Sequence, residues 1–270
     1  MYRLICCDLD ETLLTSTDKS VSPRNREAVQ RARAKGVKFV PSTGRGFSSI
    51  GKTLRELSLD GAADEYVISL NGGAITEIGG EKLLYFEALP RKLAEELFAR
   101  GVGYGIGMQV HTKDETLFYN LTEKERAFHS GRLEMKEFFT PNLDFLKGQD
   151  IAKIVFADPD IPHLQEIEKE LRPILGDVNV TYSSNRFLEF NHKGVSKGQG
   201  LLRLAEHLGI PCDETIAIGD NYNDVSMIQT AGLGVCVQNA SDEIKVLSDY
   251  VTKATHDEDA IAEVIEKFVL

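Results

Sequence analysis

Short apolar runs alternate with stretches of helical periodicity over the first 80 residues. Residues 3–9 read as a strand. Ser22-Pro23 then offers an N-cap and a proline at the first helical position, so the pattern predicts a helix over 24–35 that Gly36 stops. Residues 37–40 read as a second strand, a helix follows Gly46, and 66–70 read as a third strand. The same rhythm resumes later: helix 197–208 ended by Gly209, strand 215–219, helix 223–231, strand 234–237, helix 241–247, a short strand at Tyr250-Val251 and helix 258–268. Strand–helix alternation of this kind predicts an α/β chain with a doubly wound parallel sheet covered on both faces.

The middle of the chain breaks that rhythm. Strands at 106–110 and 116–119 flank Lys113-Asp114 in a hairpin-like arrangement, further short strands lie at 151–157, 178–183 and 186–191, and helices fill 90–100 and 162–172. Strand pairs with helices between them predict a separate α+β unit of about 100 residues inserted into the sheet domain. Its expected borders divide the chain into core 1–82, insert 83–186 and core 187–270.

Candidate chemistry follows from the strand ends, because ligands of open parallel sheets bind beyond the carboxyl ends of the strands. The first strand ends in Asp8 and Asp10, the second in Ser42-Thr43-Gly44-Arg45, the third in Asn71-Gly72-Gly73, and the strand at 215–219 in Asp220, Asn223 and Asp224. Each such end alone is ordinary turn chemistry; together, two clusters of paired acids suggest one divalent-cation site. Hard oxygen donors favour Mg²⁺, and carboxylates from Asp8 and Asp220 with a backbone carbonyl near Asp10 would suffice. The six histidines are scattered without metal-ligand spacing. A carboxylate beside Mg²⁺ also suits nucleophilic attack on phosphorus, with Asp10 as acid and base and with Thr43 and nearby amides donating to phosphoryl oxygens. Lys197 is the candidate neutralising cation: Ser196 and Gln199 have capping-box spacing, which puts Lys197 in a helical first turn.

Composition narrows the partners. The chain has 270 residues, 42% of them hydrophobic, and a net charge of −11. Nucleic acid is not expected as a partner of so acidic a chain. Cys6 and Cys7 are adjacent on a buried strand and so point to opposite faces; with only four cysteines, a disulfide framework is not expected and a reducing compartment is. No secretory signal or membrane-length apolar run is visible, so a cytoplasmic location is expected. Nothing in the pattern sets the oligomeric state. Ser196-Lys197-Gly198 lacks the order of a P-loop, and the glycine-rich 101–107 leads into a strand rather than from a strand into a helix, so neither reads as a nucleotide site.

The motifs Asp8-Leu9-Asp10-Glu11-Thr12-Leu13-Leu14, Thr43-Gly44-Arg45, Lys197 and Gly219-Asp220-Asn221-Tyr222-Asn223-Asp224 stand in the order of the four motifs of the haloacid dehalogenase superfamily. The whole chain resembles the Cof-type phosphatases of that superfamily, which carry an α/β cap between the second and third motifs. The resemblance implies Asp8 as nucleophile, Asp10 as acid/base, Thr43 as phosphate-binding hydroxyl, Lys197 as the third-motif lysine and Asp220 as a Mg²⁺ ligand, with Asp8, Asp10 and Asp224 also at the metal. It implies Asn223 as a neighbour of the phosphate, and Gly44, Arg45 and Asn71 on the substrate side. Two positions depart from the commonest pattern. Glu11 stands where glycine is usual, which adds negative charge and bears on the loop. Asn221 replaces a glycine and is expected to be mild, since asparagine tolerates left-handed backbone. The implied activity is Mg²⁺-dependent hydrolysis of a small phosphorylated metabolite, a sugar phosphate or phosphorylated cofactor, through an aspartyl-phosphate. The alternatives are a phosphomutase and a weakly catalytic metabolite-binding regulator. Specificity is expected in the cap, where Tyr104, His129 and Arg132 are candidates.

Overall fold

A computed structural model describes residues 1–130 and 135–270. Arg132 therefore lies outside the described residues. The chain divides into two compact units, Met1–Tyr85 with Ser196–Leu270, and Phe86–Val195.

The first unit opens with β1 (Leu4–Cys7), α1 (Pro23–Ala34), β2 (Lys38–Pro41), α2 (Gly51–Glu56), β3 (Tyr66–Ser69), β4 (Ala74–Glu77) and β5 (Lys82–Phe86). The second unit contributes α3 (Arg91–Tyr104), β6 (Gly107–Thr112), β7 (Thr116–Tyr119), α4 (Glu123–His129), β8 (Lys136–Phe138), β9 (Ile151–Ala157), α5 (Ile161–Leu175), β10 (Asn179–Ser183) and β11 (Phe187–Asn191). The first unit closes with α6 (Lys197–Leu208), β12 (Thr215–Gly219), α7 (Val225–Thr230), β13 (Leu233–Cys236), α8 (Asp242–Lys245), β14 (Tyr250–Val251) and α9 (Ala260–Phe268). None of the helices among the described residues is long and apolar enough to cross a membrane.

The core sheet runs β14-β13-β12-β1-β2, all parallel, so β1 and β12 are neighbours despite their separation in sequence. Alternating side chains serve two cores. Ile5 and Cys7 of β1 pack with Phe39, Ile216, Ile218 and the α1 and α9 residues Ala28, Val29, Ile261 and Ile265. Leu4 and Cys6 face the other way, onto Val40, Ala217, Leu201, Leu204 and Met227. Each fully buried Leu, Ile or Phe contributes roughly 1.5–3 kcal/mol relative to an exposed one, so the register of β1 is strongly specified. At the predicted start of α1, the Ser22 hydroxyl accepts from the Asn25 amide and Pro23 occupies the first turn.

The third strand departs from expectation. β3 touches β2 through a parallel bridge between Ser42 and Ile68 but pairs antiparallel with β4 in a three-stranded sheet, β3-β4-β5. The reversal is made by three consecutive left-handed residues, Leu70, Asn71 and Gly72, at φ 54°, 57° and 91°. Gly72 also has no room for a side chain: a Cβ there would sit 2.1 Å from the Ser196 carbonyl oxygen at the start of α6.

The second unit has a six-stranded sheet, β10-β11-β9-β6-β7-β8, antiparallel except for β7 with β8. Helices α3 and α5 cover one face, burying Val110, Ile154 and Phe190 with Met108, Phe156 and Leu188. β11, which the expected border near residue 187 assigned to the core, is hydrogen-bonded between β9 and β10 in this sheet, so the second unit extends to Val195.

Gly72→Ala is expected to destabilise the protein by about 2 kcal/mol or more, because a left-handed position and a closed contact are both violated. Urea denaturation measures it; an unchanged midpoint would contradict the close approach of this loop to α6.

Candidate active site

All the strand-end residues lie in the first unit. β1 delivers Asp8, whose amide continues the parallel ladder by donating to the Ile218 carbonyl at 2.9 Å. The chain then turns back sharply, with the amides of Leu13 and Leu14 both donating to the Leu9 carbonyl. Glu11 occupies the tip of this turn at φ 64°. This is the left-handed geometry that glycine adopts freely and other residues adopt at a cost of order 1 kcal/mol, so Glu11 retains the backbone path that a glycine would take.

β12 delivers the second acidic cluster. Asp224 folds back under the strand end, where its Oδ2 accepts from the Asp220 and Asn221 amides at 3.0 Å each. Gly219 makes this possible, since a Cβ there would lie 2.4 Å from the Asp224 Cβ. Asn221 is extended at φ −129° and caps the short turn that follows, its side chain accepting from the Tyr222 amide at 2.8 Å. Its acceptability therefore comes from capping, and the left-handed tolerance expected of it does not apply.

The ligand atoms of Asp8, Asp220 and Asp224 lie within 4.8 Å of one another, all three residues buried. Lys197, wholly buried in the first turn of α6, donates from Nζ to Asp8 Oδ1 at 2.5 Å and Asp224 Oδ1 at 2.6 Å. Its helix is capped by the Ser196 hydroxyl, which accepts from the Gln199 amide. Asp220 Oδ1 accepts from the Thr12 hydroxyl at 2.6 Å. Thr12 was not singled out from the sequence, although it lies two residues past Asp10 in the first motif; its role shows only when β1 and β12 are seen side by side.

Asp10 stands apart from this group. Its carboxylate is held in a two-pronged pair by Arg45, Nε to Oδ2 at 2.7 Å and Nη2 to Oδ1. The three-acid cluster is made without the Asp10 side chain, the donor expected near Asp10 being a backbone carbonyl, and Arg45, expected on the substrate side, spends its guanidinium on an acid of the protein itself. Contacts link the remaining strand ends. The Arg45 amide donates to the buried Thr43 hydroxyl across Gly44, the Asn71 amide donates to the Thr43 carbonyl, and Asn223 Nδ2 donates to Asn71 Oδ1 at 3.3 Å.

The electrostatics of the cluster are unbalanced. Burial, reinforced by the neighbouring acids, overrides Lys197 and pushes the Asp8 carboxyl from its ordinary 3.8 up to about 7. Burial, then Asp224 and Asp8, push Asp220 well above the ordinary range. Burial works against the charge on Lys197, but Asp224 and Asp8 outweigh it and hold the ammonium firmly protonated. Were all three carboxylates ionised, the one ammonium would offset only one of the three charges. An all-oxygen donor set with that residual charge fits a hard divalent cation such as Mg²⁺.

Comparison with known proteins agrees with this geometry. A family model described as haloacid dehalogenase-like hydrolase matches residues 5–265. The 5-amino-6-(5-phospho-D-ribitylamino)uracil phosphatase YcsE of Bacillus subtilis is 30% identical over 268 residues, 99% of this chain and 96% of its own length. Among solved structures, a haloacid dehalogenase-like hydrolase from Bacteroides thetaiotaomicron shares 33% identity at a TM-score of 0.83, covering 99% of both chains. The sugar phosphatase BT4131 of HAD subclass IIB has the same fold, at a TM-score of 0.86 over 98% of both chains with 24% identity. With a family model spanning nearly the whole chain and a phosphatase relative aligned along it, this chain belongs to the haloacid dehalogenase-like hydrolase family, as an enzyme of its Cof-type phosphatase branch.

Proposed function

We propose that the protein is a Mg²⁺-dependent phosphatase that hydrolyses a small phosphorylated metabolite, a sugar phosphate or phosphorylated cofactor, through an aspartyl-phosphate on Asp8. The observation that carries this reading is Lys197 bridging Asp8 and Asp224, with Asp220 in the same buried cluster. Asp8, Asp220 and Asp224 would hold the cation. When bound, it supplies positive charge that offsets the repulsion between an anionic nucleophile and an anionic phosphate.

The rest of the chemistry belongs to the chain. An Asp8 carboxylate oxygen attacks phosphorus as the bond to the leaving alcohol breaks, and Asp10 gives that alcohol a proton. Asp10 then takes a proton from water, whose oxygen attacks the same phosphorus and frees Asp8 and inorganic phosphate. Lys197 neutralises charge throughout and orients Asp8, while the Thr43 hydroxyl and the amides beside it donate to phosphoryl oxygens. For Asp10 to act as an acid, Arg45 has to release it, and an arriving phosphate is an anion able to draw the guanidinium away. The four cysteines are free, which supports a reducing compartment, and we place the protein in the cytoplasm.

Asp8→Asn is expected to lower Mg²⁺-supported hydrolysis of an aryl phosphate by about a thousandfold or more, read as release of inorganic phosphate. Retained activity would overturn the assignment of Asp8 as nucleophile. Lys197→Met is expected to lower stability by about 3–5 kcal/mol in the metal-free protein, since it strands buried carboxylates. Excess Mg²⁺ should recover part of that loss in urea denaturation; a loss that Mg²⁺ leaves untouched would contradict the charge balance described above.

A further inference from the structure

The turn between Asp10 and Thr12 is held from outside as well as from within. β13 runs beside β12, the Val237 amide continues that ladder by donating to the Gly219 carbonyl at 3.1 Å, and the chain just beyond presents Asn239. Asn239 Nδ2 donates to the Glu11 carbonyl at 2.8 Å, and its Oδ1 accepts from the His256 amide at 3.0 Å. One end of the side-chain amide accepts from a backbone N–H and the other donates to a backbone carbonyl, so its orientation is fixed. A second tie lies farther along the same loop: the Ser16 amide donates to Asp257 Oδ1 at 2.7 Å, and the Ser16 hydroxyl meets His256 Nε2 at 2.8 Å.

Glu11 is the residue that needs such a tie. At φ 64° it stands in left-handed backbone, which a glycine adopts freely and a glutamate only at a cost. The net gain from one hydrogen bond is of the same size as that cost, so the Asn239 contact offsets it. On either side of Glu11 stand groups of the active site: Asp10, paired with Arg45, and Thr12, whose hydroxyl donates to Asp220. A shift of the Glu11 peptide therefore moves both.

We infer that Asn239 is a positioning residue for phosphoryl transfer: by anchoring the left-handed Glu11 turn it holds the Asp10 carboxyl where the leaving oxygen receives its proton. Asn239 acts through Asp10 rather than on the substrate, and the inference rests on the acid/base role proposed above for Asp10. It also makes Glu11 and Asn239 a coupled pair. With glycine at position 11 the turn would hold itself, and the Asn239 contact would lose most of its importance.

A mutant cycle read with two esters of similar size, phenyl phosphate and para-nitrophenyl phosphate, in the presence of Mg²⁺ tests this. Nitrophenolate leaves with little help from an acid, whereas phenolate depends on the proton. Asn239→Ala should lower kcat/KM for phenyl phosphate by about tenfold, the equivalent of one hydrogen bond, and change that for the nitrophenyl ester far less. Glu11→Gly added to Asn239→Ala should recover most of the loss. No loss, equal losses for the two esters, or a loss that Glu11→Gly leaves in place would overturn the inference. Asn239→Asp keeps the acceptor for the His256 amide but not the donor to Glu11, and carries the same expectation if alanine disturbs folding. Should the wild type hydrolyse neither ester, the phosphatase reading fails, and hydrogen exchange of the amides of residues 10–16 decides the present one. Faster exchange in Asn239→Ala that Glu11→Gly reverses supports it, whereas exchange that Asn239→Ala leaves unchanged, or that Glu11→Gly does not restore, overturns it.

Discussion

The contact between the buried Lys197 ammonium and the carboxylates of Asp8 and Asp224 constrains everything around it. A lysine with no exposure is tolerable only if paired, and its partners come from strand ends 189 and 27 residues away in sequence. Parallel pairing of β1 with β12 brings those ends together. The glycine contacts do the rest: Gly72 lets the loop after β3 lie against the Ser196 carbonyl, and Gly219 lets Asp224 tuck beneath its own strand. The fold thus assembles more negative charge than one lysine can balance, which is the physical basis for a divalent cation at this place.

The second acid is managed separately. Arg45 pairs with Asp10 outside the three-acid cluster, although the Asp10 charge still helps raise the Asp8 carboxyl. Thr12 restrains Asp220 in turn. Nucleophile and acid/base candidates two residues apart in sequence therefore sit in different electrostatic surroundings, one against lysine and buried acids, the other against a guanidinium.

Much of this was legible in the sequence. The apolar runs locate the core strands, and the acids after residues 7 and 219 stand out because nothing in strand propensity calls for them. The Ser196–Gln199 spacing places Lys197 in a first turn, where it is found. The meander of β4 and β5 was not foreseen, because it depends on Leu70 and Asn71 adopting left-handed backbone that only tertiary contacts enforce. α4 was missed although its signal was present: Thr122 and Glu125 form a reciprocal capping box. The Arg45–Asp10 pair joins residues 35 apart in sequence, and no local pattern announces such a pair.

Calorimetric titration of Mg²⁺ into metal-free protein, with thermal unfolding across pH, tests the charge imbalance most directly. Asp8 holds its proton up to about pH 7 in the folded protein against an ordinary 3.8, so between those values the native state binds more protons than the unfolded chain. The account predicts that metal-free stability falls as pH rises through that window, that Mg²⁺ binds and restores it at neutral pH, and that Asp220→Asn weakens the binding. A stability independent of pH over this window, with no Mg²⁺ binding by the wild type, would contradict it.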